Sequence, residues 1–584
     1  MRVRSIVSTV SLLLAAALMA CGGDAGNKSP TPPVSASPTP PGGGGGTPPT
    51  AVLSSINMNA PSSSIAIGGA VQVDASPRDQ NSQVIGAAVT WSSSNDTVAT
   101  VTGAGLVTGL KAGSATISAS AVAGSVTLTR SIGVNVILPF AGPPPPKNVP
   151  VNDPRGGSLP NLGQYEPSVA VSGARIVVGW NDESYGSQTV RGVNWSVAYG
   201  YSTNGGSTFT EGGEVGSTHW GADPSVTVNR AGNFYFGRFE LTNDLSFGIS
   251  APDRVAIYKS TDGGITFPQS AFVTGNTSGG FQGVNDKPTI TADNTGSVFD
   301  GNVYASWTFA SSNVLKIRFA RSTDGGASFS APMVLSDGTK DQGSVPVVGP
   351  GGVVHVLWVD IASNTIFVRK SIDGGVTFAP AVSVASSTPI GANEGSTSQY
   401  CGPVLNGSIG VFVSPIIAVD KSGGPNNGKL YVVFAGRGAG TDAADVFLTT
   451  SGDGGATWST PRRLNDDLTT NDQWLPFVAV APNGTVGVSW YDRRQDPQNL
   501  LIDVFMKFST DGGASFGQSL KVSDVSFPPR GVTRRVTFPP YSCYMSSYNY
   551  MVADATNFYI VWTDNRMVTA GAVDPNIMFA KVLY

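Results

Sequence analysis

Five carboxylates stand at one aligned position in a repeating pattern, each just past a strand that ends near an aromatic: Asp182, Glu240, Asp360, Asp492 and Asp564. Arginines accompany three such strands, in Phe434-Ala-Gly-Arg437, Trp490-Tyr-Asp-Arg-Arg494 and Trp562-Thr-Asp-Asn-Arg566. Guanidinium forks suit carboxylate, sulfate or phosphate groups, and a carboxylic acid beside them can protonate a leaving oxygen. On that chemistry Arg437, Arg493 and Arg566, with Glu166 and Asp182, are the expected ligand-binding residues, and Asp492 and Asp564 the expected acid/base carboxylates. The alternative is that each Trp-x-Asp and its arginine form an ion pair repeated for structural reasons. Only two histidines are present, His219 and His355, so a Ser-His-Asp triad or a His-rich metal site is nearly excluded.

Groups so distant in sequence can meet only on a repeating frame. The octad Ser322-Thr-Asp-Gly-Gly-Ala-Ser-Phe329 has close copies beginning at Ser202, Ser260, Ser371, Ser451 and Ser509. Each reads as a hairpin turn: the Asp (Asn204 in the first copy) accepts turn N–H groups, the Gly pair supplies φ > 0, and the aromatic packs between sheets. Upstream of each turn lies a strand beginning at a proline, as in Glu166-Pro167, Asp223-Pro224, Lys287-Pro288, Val345-Pro346, Ser414-Pro415 and Leu475-Pro476. A second strand follows, ending near Trp180, Phe236, Trp307, Trp358, Phe434, Trp490 or Trp562.

Counting second strands gives seven units but only six turns. Residues 165–584 give 60 residues per unit, which suits four-stranded blades of a β-propeller. The missing fourth strand of the last blade is expected from the stretch just before Tyr165, closing the ring. Six blades with one extra sheet is the alternative.

The rest of the 584-residue chain is organised around that ring. Charged residues make up 13%, against roughly 25% in an average domain, so the surface is finished with Ser, Thr, Asn and Gly, as in a turn-rich all-β protein. A formal net charge of -4 gives no basic field for nucleic acid. Residues 1–21 read as an export signal: Arg2 and Arg4, an apolar run, then Leu18-Met-Ala-Cys21. Residues 22–50, rich in Gly, Pro, Ser and Thr, read as a disordered tether. Residues 51–137 carry short alternating stretches such as Val89-Thr-Trp91 and Thr116-Ile-Ser-Ala119, a small antiparallel sandwich. Residues 138–164, with Pro143 to Pro146, read as a stiff linker.

Three resemblances add to this reading. The Leu18–Cys21 segment resembles a bacterial lipoprotein signal, implying lipidation of Cys21 and an outer-membrane or cell-surface location. Val89 to Val101, with Gly105-Leu-Val-Thr-Gly109 and Ala112 to Ile117, resembles the group 2 bacterial Ig-like domain, whose members serve as spacers or adhesion units. The Asp-Gly-Gly turns resemble the Asp-box (bacterial neuraminidase) repeats of sialidase-like propellers. That resemblance implies a functional rim opposite the turns. In Tyr541-Ser-Cys-Tyr544, which is similar to the family's nucleophile region, it implies Tyr541 as the nucleophile. The first unit departs from the family's pattern, since Gln164-Tyr165-Glu166-Pro167 lacks the early arginine.

Cys401 and Cys543 fall in long loops on that rim and are expected to pair in an exported protein, with free thiols the alternative. No cofactor is expected; the loops Asp293–Asp300 and Asp420–Pro425 have oxygen-rich chemistry that could hold structural calcium. The expected partner is an extracellular glycan or glycoprotein, met by a monomer held to the membrane only through its lipid. Two functions stand: glycoside hydrolysis by the propeller, or non-catalytic binding and adhesion.

Overall fold

The computed structural model describes residues 51–60, 64–137, 142–152 and 163–584, apart from 183–188, 191–192, 195, 217–219, 242–252, 274–282, 312, 392–402, 439–441, 530–544 and 570–571. The chain is all-β and divides into two compact units at about residue 138.

The smaller unit is an Ig-like sandwich. One sheet joins Ser64–Ala66, Val126–Ile137, Gly113–Ala123 and Val89–Ser93; a second joins Ala70–Gln72, Leu106–Gly109 and Ala99–Val101. Strict alternation along Gly113–Ala123 turns Ala115, Ile117, Ala119 and Ala121 inward, where Val71, Val73, Val107, Val134 and Val136 complete the core. Pairing is not wholly antiparallel as expected: Ser64–Ala66 runs parallel to Val126–Ile137.

The larger unit contains seven four-stranded antiparallel sheets. Their first strands are Gln164–Ser172, Trp220–Val228, Val284–Ala292, Asp341–Gly349, Ile416–Val419, Gln473–Val480 and Tyr550–Ala553. Each lies against the first strand of the next sheet, and the seventh lies against the first. The sheets therefore close a seven-bladed propeller with the first strands innermost. The fourth strand of blade 7 is Val149–Pro150, paired with the C-terminal strand Ala572–Leu583. Part of the stretch read as linker is thus a structural member of the ring. Side-chain amides pin it on both sides: Asn148 Nδ2 donates to Val522 O, and Asn152 Nδ2 donates to Asn576 Oδ1 at 2.6 Å.

The Asp-Gly-Gly turns join third to fourth strands. In the turn at 322–329, Ser322 Oγ donates to Asp324 Oδ1 and accepts the Gly326 N–H, while Asp324 accepts the Ala327 and Ser328 amides. Gly325 and Gly326 take φ of 67° and 85°, and a Cβ on Gly326 would stand 2.7 Å from the Tyr235 ring of the preceding blade. Glycine is needed there for both conformation and approach. Closing aromatics pack across the seams, as Phe209 on Phe579 and Phe378 on Phe319.

Candidate functional site

First strands start, and second strands end, on the rim opposite those turns. Near that end, five of the seven inner strands slip register against their second strands, between Tyr165 and Ser168, Ala222 and Ser225, Asp286 and Thr289, Gln342 and Val345, and Trp474 and Phe477. Each slip is a bulge whose first residue has positive φ: Glu166 58°, Asp223 61°, Lys287 47°, Gly343 69° and Leu475 49°. Proline follows four of them, at 167, 224, 288 and 476. Proline offers no ladder donor, which favours a bulge, yet it disfavours helical φ/ψ in the residue before it. Four non-glycine residues in the left-handed region before proline, at one level of one ring, are stored strain of the kind that gathers at functional sites.

The bulges of three consecutive blades bring charged groups together at the axis. Glu166, Asp223 and Asp286 are buried, and Lys287 is half-buried. Asn181 bridges the first seam, its Nδ2 donating to Glu166 Oε2 at 2.7 Å and its Oδ1 accepting the Asp223 N–H at 2.9 Å. The Lys287 N–H donates to Asp223 Oδ2 at 2.9 Å across the second seam. Gln342 Nε2 donates to Asp286 Oδ2 from the fourth blade, and the Ser547 N–H donates to Glu166 Oε1 from the chain entering the seventh. The ammonium of Lys287 stands 4.6 Å from the Tyr548 ring centroid.

Asp223 is the middle carboxyl, in hydrogen-bonding reach of both Glu166 and Asp286. Such a contact holds only with a proton between the oxygens. Burial, and then the like charge of Asp286, push the Asp223 carboxyl up to about 7. Burial also raises Asp286, and it lowers the Lys287 ammonium against the pull of the three acids. The arrangement offers a carboxylic acid that can give up a proton near neutral pH, ionisable acceptors and one cation.

Most residues expected from sequence lie elsewhere. Glu166 is in the axial cluster. Asp182, Asp492 and Asp564 are fully buried and accept the indole N–H of the tryptophan two residues earlier, at 2.8, 2.7 and 2.8 Å. Arg494 and Arg566 cover Asp492 and Asp564, and their other ends reach Asp466 and Asp524 of the preceding blade. Asp492 and Asp564, expected as acid/base carboxylates, and Asp182, expected to bind ligand, are thus held inside the blades against the tryptophans of their own strands. Arg493, the neighbour of Arg494, points elsewhere. It is buried over Trp474, donates to Asp472 and to the Asn406 carbonyl, and is lowered to about 10 by burial. Arg566 is likewise consumed by Asp564, Asp524 and Asn148, so neither is free to clamp a ligand. Arg437 is exposed and donates to the Gly391 carbonyl.

Glu240 carries Arg238, Arg254 and Tyr258, and Asp360 caps the turn at 362–363. Tyr541, Cys21, Cys401 and Cys543 lie outside the described residues. In the two oxygen-rich loops, Asp293 and Asp420 accept the amides of Thr295 and Ser422, and Asp300 and Asn427 accept those of Gly296 and Gly423. Loop closure thus uses these oxygens. Among the described residues, no group of three or more His, Cys, Asp or Glu is arranged to hold a metal.

Sequence reasoning missed Asp223, Asp286, Lys287 and Asn181. The available signal was the charged residue ahead of the first three repeat prolines, at Glu166, Asp223 and Lys287, and in blade 4 the equivalent of Lys287-Pro288 is Gly343-Ser344, two residues before Val345-Pro346.

Residues 53–130 match the family model of the bacterial Ig-like domain, group 2. No curated protein matches the chain. Among solved structures, a protein of unknown function from Dyadobacter fermentans is similar over 75% of this chain and 98% of its own, at 14% identity and TM-score 0.40. The NanB sialidase from Streptococcus pneumoniae is similar over 81% and 84%, at 9% and 0.38. The intramolecular trans-sialidase from Ruminococcus gnavus is similar over 74% and 96%, at 12% and 0.36. Likeness this slight transfers no residue and no activity.

Proposed function

We propose that this protein is an exported, lipid-anchored glycoside hydrolase whose site is the axial cluster, with Asp223 as the proton donor to a leaving oxygen. The observation that carries the reading is the meeting of Glu166, Asp223 and Asp286 from three blades, with Asp223 kept protonated to about 7. A carboxyl poised there matches what general acid catalysis at neutral pH requires. Glu166, accepting from Asn181 and the Ser547 amide, is the partner best supported as an anion. The signal-like residues 1–21 and the Ig-like module support display outside the cell, with an extracellular glycan as target. The test is turnover of a panel of aryl glycosides, a sialoside included, by the full chain and by Asp223→Asn and Glu166→Gln. Loss of turnover in both folded variants supports the site; turnover that survives both removes it.

A second reading, glycan binding without hydrolysis, is favoured by one distance relation. Hydrolytic carboxyl pairs stand about 5 to 9.5 Å apart to admit a sugar or a water, whereas Asp223 touches both its neighbours. Binding that survives in a wild type without turnover on any glycoside would establish it.

A further inference from the structure

We infer that Arg318 is an oxyanion site on the rim opposite the turns, placed to take the carboxylate or sulfate of an acidic glycan. At the aligned position where five blades carry an acid, blade 3 carries Phe309. Cross-strand partners share a face of a sheet, and Trp307 pairs with Arg318 as Phe309 pairs with Lys316. The Arg318 guanidinium carbon stands over the Phe309 ring, 3.4 Å from its centroid. Blade 2 has a similar stack with an answer to its charge: Arg254 stands 3.7 Å over Phe272 and pairs with Glu240, the acid at the aligned position. Arg318 is half-buried, yet among the described residues it makes no hydrogen bond and no ion pair, and none of its nitrogens is sealed from solvent. Burial lowers the guanidinium, and no carboxylate offsets that. In the same register blades 4, 5 and 6 place Phe367, Phe447 and Phe505, so packing alone asks for an apolar side chain here. Lys316, next on that face, donates to the Ser336 and Asp337 carbonyls. Arg437 in blade 5 has no acid partner among the described residues either, but it is exposed and donates to the Gly391 carbonyl. An unpaired, partly desolvated guanidinium with an aromatic behind it and an open edge offers its fork to an oxyanion. Asp286 lies two strands inward through Thr308 and Ile317, about 10 Å at the usual strand spacing. The anion therefore belongs to a neighbouring unit of a chain, not to the sugar at the axial cluster. That a sugar carries it rests on the proposed function; the oxyanion site does not.

Calorimetry on the full chain, at neutral pH and low salt, compares tetragalacturonate with its methyl ester and a κ-carrageenan tetrasaccharide with its desulfated form, with sodium sulfate as the free ion. The anionic member of at least one pair is expected to bind about tenfold tighter, the effect of one charge-assisted forked contact. Arg318→Met, which keeps a stem on Phe309, should abolish that preference, and Arg318→Lys should keep only part of it. Arg230→Gln, which removes a cation from the opposite, turn face, should leave it intact. A purely structural arginine would destabilise the blade when lost; Arg318→Met should instead melt no lower than wild type, because it removes an unpaired charge. The site is overturned by a preference that survives Arg318→Met, by a clear loss of stability in that variant, or by a wild type that neither discriminates within the pairs nor binds sulfate. Sulfate binding that Arg318→Met abolishes, without discrimination in either pair, keeps the oxyanion site and removes the glycan from it. The axial cluster is tested by turnover and this site by binding, so each can fail alone.

Discussion

The backbone N–H of Lys287 donates to Oδ2 of Asp223 at 2.9 Å, so the acid of one blade is positioned by the strained bulge of the next. Because Lys287 holds φ at 47° before a proline, that amide faces the neighbouring blade instead of its own ladder. Burial and Asp286 then keep Asp223 protonated to about 7, against about 4 for an aspartate in the unfolded chain. The folded state holds the extra proton between those values. This contribution to stability is therefore complete below pH 4, declines as pH rises, and is gone above 7. Asp223→Asn should lose the dependence: relative to wild type, the variant should gain on the order of 3 kcal/mol between pH 4.5 and 7.5. Urea unfolding at the two pH values measures it, and a constant difference between the proteins would contradict the assignment.

Activity should report the same proton. If Asp223 is the acid, kcat/KM falls as pH rises through about 7, and Asp223→Glu moves that limb while Asp223→Asn abolishes turnover. A limb left in place by Asp223→Glu would assign it to another group.

The turns give an independent prediction. Ser322 Oγ is buried between the Gly326 N–H it accepts and the Asp324 carboxylate to which it donates. Ser322→Ala leaves a buried amide unpaired and should cost about 2 kcal/mol. Gly326→Ala should cost more, because the new Cβ meets both φ of 85° and the Tyr235 ring. The Asp324 carboxylate, held at about 2 by hydrogen bonds from Ser328, Ser322 and Ala327, contributes stability above pH 4 that is lost as pH falls toward 2. Thermal melts of Asp324→Asn should thus differ from wild type at pH 6 and approach it near pH 2.

What could be read from sequence follows from what is local. Ser-x-Asp-Gly-Gly encodes its own turn, so the hairpins and the repeat were legible from residues within eight positions of one another, and the seventh blade from counting second strands. The acids after the second strands were equally visible, but not their direction. Which of Arg493 and Arg494 faces Asp492 depends on the strand's end, and adjacent residues there point to opposite sides. The axial cluster was the least legible. Glu166, Asp223 and Lys287 stand in plain sight before prolines, but they meet only because the first strands of three consecutive blades pack side by side, and their bulges are bonded across the seams between those blades.

Ring closure has its own test in two matching latches. Arg494 joins Asp492 of blade 6 to Asp466 of blade 5, and Arg566 joins Asp564 of blade 7 to Asp524 of blade 6. Both aspartates at the second-strand ends are fully buried, so removing the cation leaves a charge without compensation. Arg494→Met and Arg566→Met should each destabilise by about 3 kcal/mol or more. The second should cost more, since Arg566 also donates to Asn148, whose backbone N–H and Nδ2 donate to Asp524 Oδ2 and to the Val522 carbonyl beside the closing strand. Replacing both members, Asp564→Leu with Arg566→Met, should recover part of the loss, because the desolvated charge leaves with its partner. Denaturant melts of the three variants decide this: equal costs for the two arginines would mean that Asn148 adds nothing to closure. No recovery in the double variant would mean that packing by the arginine stem, not its charge, holds the seam.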